Sequence, residues 1–174
     1  MISTRSVIHA DFLSQIYRVS CRLQVPQTGL MSTLNDINSS LVDVEDAYFS
    51  RLMEPAKILW HFEHTHLHKA NVALVLLARR EDLGPTGLAR AGYTKLLPIS
   101  VLLATVAFEI RGTIEVVHKL DAAELLVGGT GRFIAVYNAE VAASQHPESP
   151  FSAAAILVNR TQVEALAPLA RAKP

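Results

Sequence analysis

Four histidines fall within eight consecutive positions of this chain, in the stretch HFEHTHLHK at residues 61–69. If the stretch is a β-strand, His64, His66 and His68 share one face, because alternate side chains point to the same side of a strand. Imidazoles spaced in this way can chelate zinc or another divalent transition metal. The stretch therefore predicts a possible metal site.

A helix starting at Pro55 would give the same histidines a different arrangement. In that conformation His61, His64 and His68 share a face, and His64 and His68 stand one turn apart. Because His64 and His68 are aligned in both conformations, they are the best individual candidates for metal ligands. His66 and His61 complete the candidate set.

The same stretch also has a structural interpretation. Histidines in a hairpin can be solvated, or can form hydrogen bonds across an interface, and Trp60 and Phe62 beside them suit an aromatic interaction surface. Because imidazole titrates near neutral pH, such an interface would respond to pH. A catalytic zinc site needs three ligands, an open position and a nearby base. Nothing else in the sequence supplies these, so we expect no enzyme.

The composition narrows the classes of partner. The 174 residues include 16 basic and 16 acidic side chains, and the formal net charge is zero. Nucleic-acid binding depends on many cations that neutralise phosphates, so nucleic acid is not expected as a partner. Half of the residues are hydrophobic and only 18% are charged, which favours a homo-oligomer or a protein partner.

Cysteine content and the apolar runs indicate where we expect the protein to be located. The lone Cys21 excludes an intrachain disulfide and a cysteine-based zinc site. The first fifteen residues lack the continuous apolar core of a secretory signal. The most apolar run, residues 96–108, contains Pro98 and is shorter than the roughly 20 residues of a membrane-spanning helix. We therefore expect a cytoplasmic protein with no membrane partner.

Internal repetition is the strongest organisational signal. Residues 7–25 can be aligned with residues 98–116 at a constant offset of 91, with apolar residues matched to apolar residues. Residues 41–49 align with 133–141 at an offset of 92. These blocks keep their order and spacing, so we predict two copies of one module.

A third pair of blocks, residues 72–85 and 154–168, matches with a register uncertain by a few residues. The domain prediction is a first module at 1–85 with a long hairpin at 50–71, a connector at 86–95, and a second module at 96–174. The corresponding hairpin of the second module, at 142–150, is short. The histidines are therefore predicted to lie on an addition to the first module.

Each predicted module consists of a long bent strand, a short helix and a hairpin. Alternating apolar residues in EIRGTIEV indicate a strand, and DAAELLVGG indicates a helical turn that ends at its glycines. One such unit buries little by itself, so two units should cover each other. The predicted fold class is mainly β with short helices, as two fused, pseudo-twofold-related small β-barrel-like modules.

The second copy carries a family resemblance. Its strand ending in RGTIEV, its strand FIAVYNAEV and its ILVNR-x-x-V strand are similar to an uncharacterised bacterial small β module. The last two strands also resemble the closing strands of Sm-like barrels. That resemblance, over about 60 residues per copy, implies ring assembly and in some members RNA binding. The charge balance argues against RNA.

Two other polar stretches are interpreted structurally. GGTGR at residues 128–132 lacks a phosphate-binding spacing and is expected to be a turn between a helix and a strand. Asp43, Glu45 and Asp46 are expected on a solvated strand face. The sequence thus predicts a non-enzymatic binding or assembly protein that self-associates. The alternatives are a metal-binding protein that uses residues 61–68, and an Sm-like RNA-binding protein.

Overall fold

A computed structural model describes residues 5–85, 91–92, 95–129 and 131–169. Its β-branched and aromatic runs form strands, as these residue types favour. In the described residues the strands are β1 (Ser6–Leu13), β2 (Tyr17–Val25), β3 (Leu41–Arg51), β4 (Glu54–His68), β5 (Leu74–Leu77), β6 (Leu97–Thr105), β7 (Phe108–Val116), β8 (Phe133–Ala143), β9 (His146–Asn159) and β10 (Val163–Pro168). The prediction of a mainly β chain is confirmed.

Helices are few and short in this part of the chain. Helix α1 spans Gly29–Asn35, and a π-helical turn at Glu124–Gly128 occupies the place predicted for a helical turn. Short 3-10 turns follow at Lys69–Asn71, Arg80–Leu83 and Arg160–Gln162. No helix in the described ranges is long and apolar enough to cross a membrane.

All the described strands belong to one antiparallel sheet. Its order is β10-β6-β7-β8-β9-β5-β1-β2-β3-β4, which places β10 and β4 at the two edges. Strands that follow each other in sequence are neighbours in space, except that β5 lies between β9 and β1 and β10 lies beside β6. The sheet is therefore divided at the β9–β5 contact into a half from the second part of the chain and a half from the first.

The sheet is not closed into a barrel, so the expectation of barrel-like modules is not confirmed. A pseudo-twofold relationship between two modules is not confirmed either. A twofold axis would bring the same strand of each half together, whereas the halves meet through β9 and β5. Most of the predicted connector, residues 86–95, lies outside the described residues.

Alternation of apolar side chains builds two cores. On β2, Val19, Cys21, Leu23 and Val25 are buried at a period of two, as expected for a strand with one face in a core. The first core combines residues 8–83 with four residues of the second half: Phe133, Tyr137, Ala155 and Leu157. The second core combines the second half with Leu13, Ala73 and Leu74. Each core thus contains side chains from both halves of the sheet.

Main-chain pairing and a buried amide hold the joint between β5 and β9. Leu74 pairs with Val158, and Leu77 pairs with Ala155. At the end of β9 the Asn159 side chain is fully buried and donates to the carbonyl oxygen of Val72 at 2.8 Å. Because a buried amide without partners is costly, this bond makes the joint specific.

Candidate functional site on strand β4

The histidine stretch is an extended edge strand. Leu52 and Met53 form the turn between β3 and β4, so the histidines lie along β4, away from the hairpin tip. The helical alternative starting at Pro55 is wrong. The pairing of β4 with β3 is Leu41 with His68, Asp43 with His66, Glu45 with His64 and Tyr48 with His61.

The histidine strand is not an addition to the first half of the chain. β4 has 15 residues and β9 has 14, and each follows a short turn after an 11-residue strand. The predicted difference in hairpin length is wrong, because the β3–β4 and β8–β9 hairpins have strands of nearly equal length. Residues 163–168 form the strand β10, which lies beside β6 just as β5 lies beside β1.

Two of the four histidines are bonded to aspartates. His66 Nδ1 lies 2.6 Å from Asp43 Oδ1, and His61 Nε2 lies 2.7 Å from Asp46 Oδ1. The His61 ring also stacks on Tyr48, with ring centroids 4.3 Å apart. The hydrogen bond from His61 is the main reason why the pKa of Asp46 lies below its usual value.

The other two histidines stand opposite different partners. His64 faces Glu45, whose carboxylate accepts a hydrogen bond from Gln24 Nε2 at 2.9 Å. His68 faces Leu41. Across the residues that the structure describes, no three His, Cys, Asp or Glu side chains are grouped so that they could hold a metal ion. Metal binding by these histidines stays a prediction.

The predicted aromatic surface is partly exposed. Trp60 is 49% exposed and Phe62 is 44% exposed, and Ile58 nearby is 52% exposed. Phe49 packs edge-on against both aromatic rings, with centroid distances of 6.2 Å to Trp60 and 5.6 Å to Phe62. These rings are held by their neighbour and still present apolar surface to solvent, as contact residues do.

The backbone of β4 is a second feature of this surface. β4 pairs with β3 on one side, and among the described strands nothing pairs with its other side. An edge strand presents unpaired N–H and C=O groups, which can bind another strand. The same holds for β10 at the opposite edge.

A buried ammonium lies directly after the histidine strand, and the sequence did not predict it. Lys69 is 3% exposed, and its Nζ donates to the carbonyl oxygens of Thr33 at 2.7 Å and Asp36 at 3.2 Å. Burial lowers the pKa of Lys69 below its ordinary value. The two hydrogen bonds of Lys69 fix the C-terminal end of α1 and the loop after it to the end of β4. No local sequence pattern marks a lysine as buried.

Asp43, Glu45 and Asp46 were expected on a solvated strand face, and they are exposed or half-buried. What the sequence could not show is that their strand runs beside the histidines. Cys21 is buried on β2, and burial raises the pKa of its thiol to about 12. A thiol with that pKa is a poor nucleophile.

The arrangement on β4 can therefore bind in two ways. Its free backbone edge can pair with another strand, and its aromatic rings can pack against an apolar surface. Comparison with known proteins adds no family to this description: no protein-family model matches the chain, and no curated protein or solved structure matches it either.

Proposed function

We propose that this chain is a non-enzymatic assembly protein that is built from two copies of one five-stranded unit and associates with itself. The observation that carries the proposal is the order of strands in the sheet. The second half of the chain runs β10-β6-β7-β8-β9, and the first half runs β5-β1-β2-β3-β4. In each half the last strand is followed by the first, second, third and fourth strands.

The lengths of the elements support the duplication. β2 and β7 each have nine residues and are 91 positions apart, and β3 and β8 each have eleven and are 92 positions apart. The 3-10 turn at Lys69–Asn71 recurs 91 positions later at Arg160–Gln162. Such agreement along a whole unit favours repetition of one structure over chance similarity.

The unit is incomplete by itself, which supports association. The core of the first half includes Ala155 and Leu157, which belong to the second half. A unit that needs the fourth strand of a neighbour to cover its core has a reason to assemble. The exposed apolar side chains of Ile58, Trp60 and Phe62 on the edge strand β4 also support association.

Light scattering on the purified chain tests self-association. The chain has a mass of 19.0 kDa, so we expect a mass that is an integer multiple of that value, or a broad distribution of multiples, at tens of micromolar protein. A uniform mass of 19.0 kDa across this concentration range would contradict the proposal. The measurement should use protein from which any affinity tag has been removed.

Metal binding on β4 is a second candidate function. The observation in its favour is the bond between His66 Nδ1 and Asp43, because a carboxylate commonly orients a metal-binding imidazole and leaves its other nitrogen free. Elemental analysis of protein without a histidine tag would test it. We expect stoichiometric zinc or another transition metal, and its loss in a His64→Ala/His68→Ala variant. Absence of metal, with thermal stability unchanged by zinc, would contradict it.

A further inference from the structure

We infer that two copies of this chain join edge to edge, with residues 64–67 of β4 in one copy paired to residues 165–168 of β10 in the next. The inference rests on the proposed self-association and specifies its interface. The new joint would repeat, between chains, the joint that β9 and β5 already make within one chain.

Register is the first argument. β5 pairs with β1 through Asp11 with Leu76, Phe12 with Val75 and Leu13 with Leu74. β10 pairs with β6 through Leu102 with Ala167, Leu103 with Leu166 and Ala104 with Ala165. Every residue of the second set is 91 positions after its counterpart in the first. β10 therefore has the same register relative to β6 as β5 has relative to β1. β5 is covered by β9 on its other side, whereas the other side of β10 is free in the described structure.

The pairing of the new joint follows by the same offset. β5 and β9 pair as Leu74 with Val158, Val75 with Leu157, Leu76 with Ile156 and Leu77 with Ala155. Replacing β5 with β10, and β9 with β4, gives the predicted partners between chains. They are Ala165 with Leu67, Leu166 with His66, Ala167 with Thr65 and Pro168 with His64.

Burial is the second argument, since matched positions differ in exposure between the two halves. Five apolar positions of the first half are at most 5% exposed: Ile8, Val25, Leu34, Val72 and Val75. The residues 91 positions later are all partly exposed: Ile99, Val116, Leu125, Val163 and Leu166. The two halves have the same strand order, so strand order does not account for this difference in burial.

One contribution to the difference in burial is visible in the first half. Its apolar positions are covered by Phe133, Tyr137, Ala155 and Leu157 from β8 and β9 of the second half. In the described structure no strand lies beyond β10 to cover the second half in the same way. The strands that correspond to β8 and β9 in the first half are β3 and β4, so a β3–β4 hairpin could cover the second half in the same way. In one chain β3 and β4 lie at the opposite end of the sheet, with β4 at its edge.

The charges on β4 are the third argument. Natural edge strands are protected from pairing by charged side chains. On β4 the charged residues Glu54, Lys57 and Glu63 all precede residue 64. Residues 64–67 carry no Asp, Glu, Lys or Arg, so the part of β4 that the register assigns to the joint lacks that protection.

The joint between chains is more polar than the joint within a chain. His66 takes the place of Leu157, and Asp43 beside it takes the place of Ala135. At the end of the joint the same register brings His68 opposite Glu164, where an imidazole N–H can donate a hydrogen bond to the carboxylate. We therefore expect the contact between chains to be weaker than the β9–β5 joint within a chain, and reversible.

The joint is head to tail, because it uses a different edge of each copy. Contacts of this kind continue from copy to copy, and they form a ring if the rotation closes or a filament if it does not. Every copy in the interior of such an assembly has both edges covered. The partly exposed positions of the second half would then become as buried as their counterparts in the first half.

Disulfide trapping tests the joint directly. In the proposed register His66 and Leu166 are directly opposite, and Cα atoms of paired residues are close enough for a disulfide. Within one chain they lie on strands at opposite edges of the sheet, so they cannot be linked to each other there. The buried Cys21 is not available to compete. We therefore expect a His66→Cys/Leu166→Cys variant to form covalent ladders under mild oxidation.

Matched variants control for collision and for misfolding. A His66→Cys/Val106→Cys variant carries its second cysteine on the exposed turn after β6, and should give no ladder beyond a dimer. The single variants should also stop at dimers. Circular dichroism should show that all variants keep the strand signal of the parent chain.

Light scattering on the parent chain separates the possible outcomes. An oligomeric parent together with ladders in the His66→Cys/Leu166→Cys variant supports the joint. An oligomeric parent whose double variant gives no more ladder than the Val106→Cys control overturns this joint and leaves self-association standing. A monomeric parent overturns the proposed function and, with it, this interface.

Discussion

Asp46 and Asn138 are the two non-glycine residues in the described structure with a left-handed backbone, with φ of 52° and 48°. They lie 92 positions apart, on β3 and β8 respectively. In both strands the register to the preceding strand shifts near this residue, between Ser20 and Arg22 on β2 and between Arg111 and Thr113 on β7. A bulge of this kind bends a strand and increases its twist. Asp and Asn tolerate the conformation better than other side chains.

The first prediction concerns this bulge. Replacing Asn138 with Val should destabilise the chain by about 1–3 kcal/mol, because a β-branched residue is strained in the left-handed region. Asn138→Gly should be neutral or stabilising by up to about 1 kcal/mol, because glycine adopts this conformation freely. Urea unfolding measures both free energies. Glu140→Val is the control, since Glu140 is exposed on the same strand with an ordinary backbone; equal costs for the two Val variants would contradict the prediction.

The second prediction concerns Gly29 and Gly84, which pack backbone to backbone. Both have φ of +79°, and a Cβ built on either residue would clash with the Cα of the other. Gly29→Ala should therefore cost about 3 kcal/mol or more, from the sum of backbone strain and overpacking. The contact fixes the start of α1 against the end of the first half of the chain.

Gly92→Ala is the matched control for that substitution. Gly92 also has a left-handed backbone, with φ of +86°, and no described atom lies within 4 Å of the position that its Cβ would take. Its cost should be about 1–2 kcal/mol, from backbone strain alone. Urea unfolding measures the free energy of unfolding of both variants. An equal loss for Gly29→Ala and Gly92→Ala would show that the close approach of Gly29 to Gly84 does not add to the cost.

The third prediction concerns the thiol of Cys21. Burial raises its pKa from 9.0 to about 12, so the folded chain should not react with a thiol reagent at pH 8, and unfolding in denaturant should release one reactive thiol per chain. A group with a raised pKa keeps its full contribution to stability below pH 9 and loses it as the pH rises toward 12. Stability should therefore fall less steeply over this interval in Cys21→Ala. Rapid labelling of the folded chain by the thiol reagent would contradict the prediction. So would an equal dependence of stability on pH in the parent chain and in Cys21→Ala.

The fourth prediction concerns the pair of His61 and Asp46. The imidazole holds the pKa of the Asp46 carboxyl below its usual value, so His61→Phe should raise that pKa. A depressed carboxyl pKa contributes stability above the ordinary carboxyl range, and the contribution is lost as the pH falls through the lowered value. The parent chain should therefore lose more stability on acidification than His61→Phe does.

Carbon NMR of the Asp46 carboxyl through an acid titration measures the shift directly. His64→Phe is the control, because His64 stands opposite Glu45 on the same strand. It should leave the titration of Asp46 unchanged. A titration midpoint that is equal in the parent and in His61→Phe would show that the hydrogen bond between the two side chains does not form in solution.

Much of the secondary structure is determined locally. The strand prediction for FIAVYNAEV is confirmed as β8, and the helical turn predicted in DAAELLVGG is found at Glu124–Gly128. Both follow from neighbouring residues alone, because alternating β-branched residues favour a strand and an alanine-rich run favours a helix. The offsets of 91 and 92 between similar blocks of the two halves are also read from the sequence, because they rest on matched apolar residues.

The tertiary structure decided where the histidines lie and which residues they contact. The sequence left open a helix, a strand or a hairpin tip for residues 61–68, because polar and aromatic residues alternate there without a clear period. Pairing with β3 made this segment an edge strand, and placed Asp43 opposite His66 and Tyr48 opposite His61. Cross-strand partners depend on register, and register is set by which faces are buried across the whole sheet.

The sequence by itself thus determined that the chain is mainly β and which blocks of the two halves resemble each other. The prediction of one long bent strand at the start of each half is wrong, because residues 7–25 and 98–116 each form two antiparallel strands. The tertiary structure alone decided that the strands form one open sheet, that β9 meets β5, and that β4 and β10 are its edges. Local propensity acts over a few residues. Sheet order arises from contacts between residues far apart in sequence, whose entropy cost is recovered only when a shared core is buried.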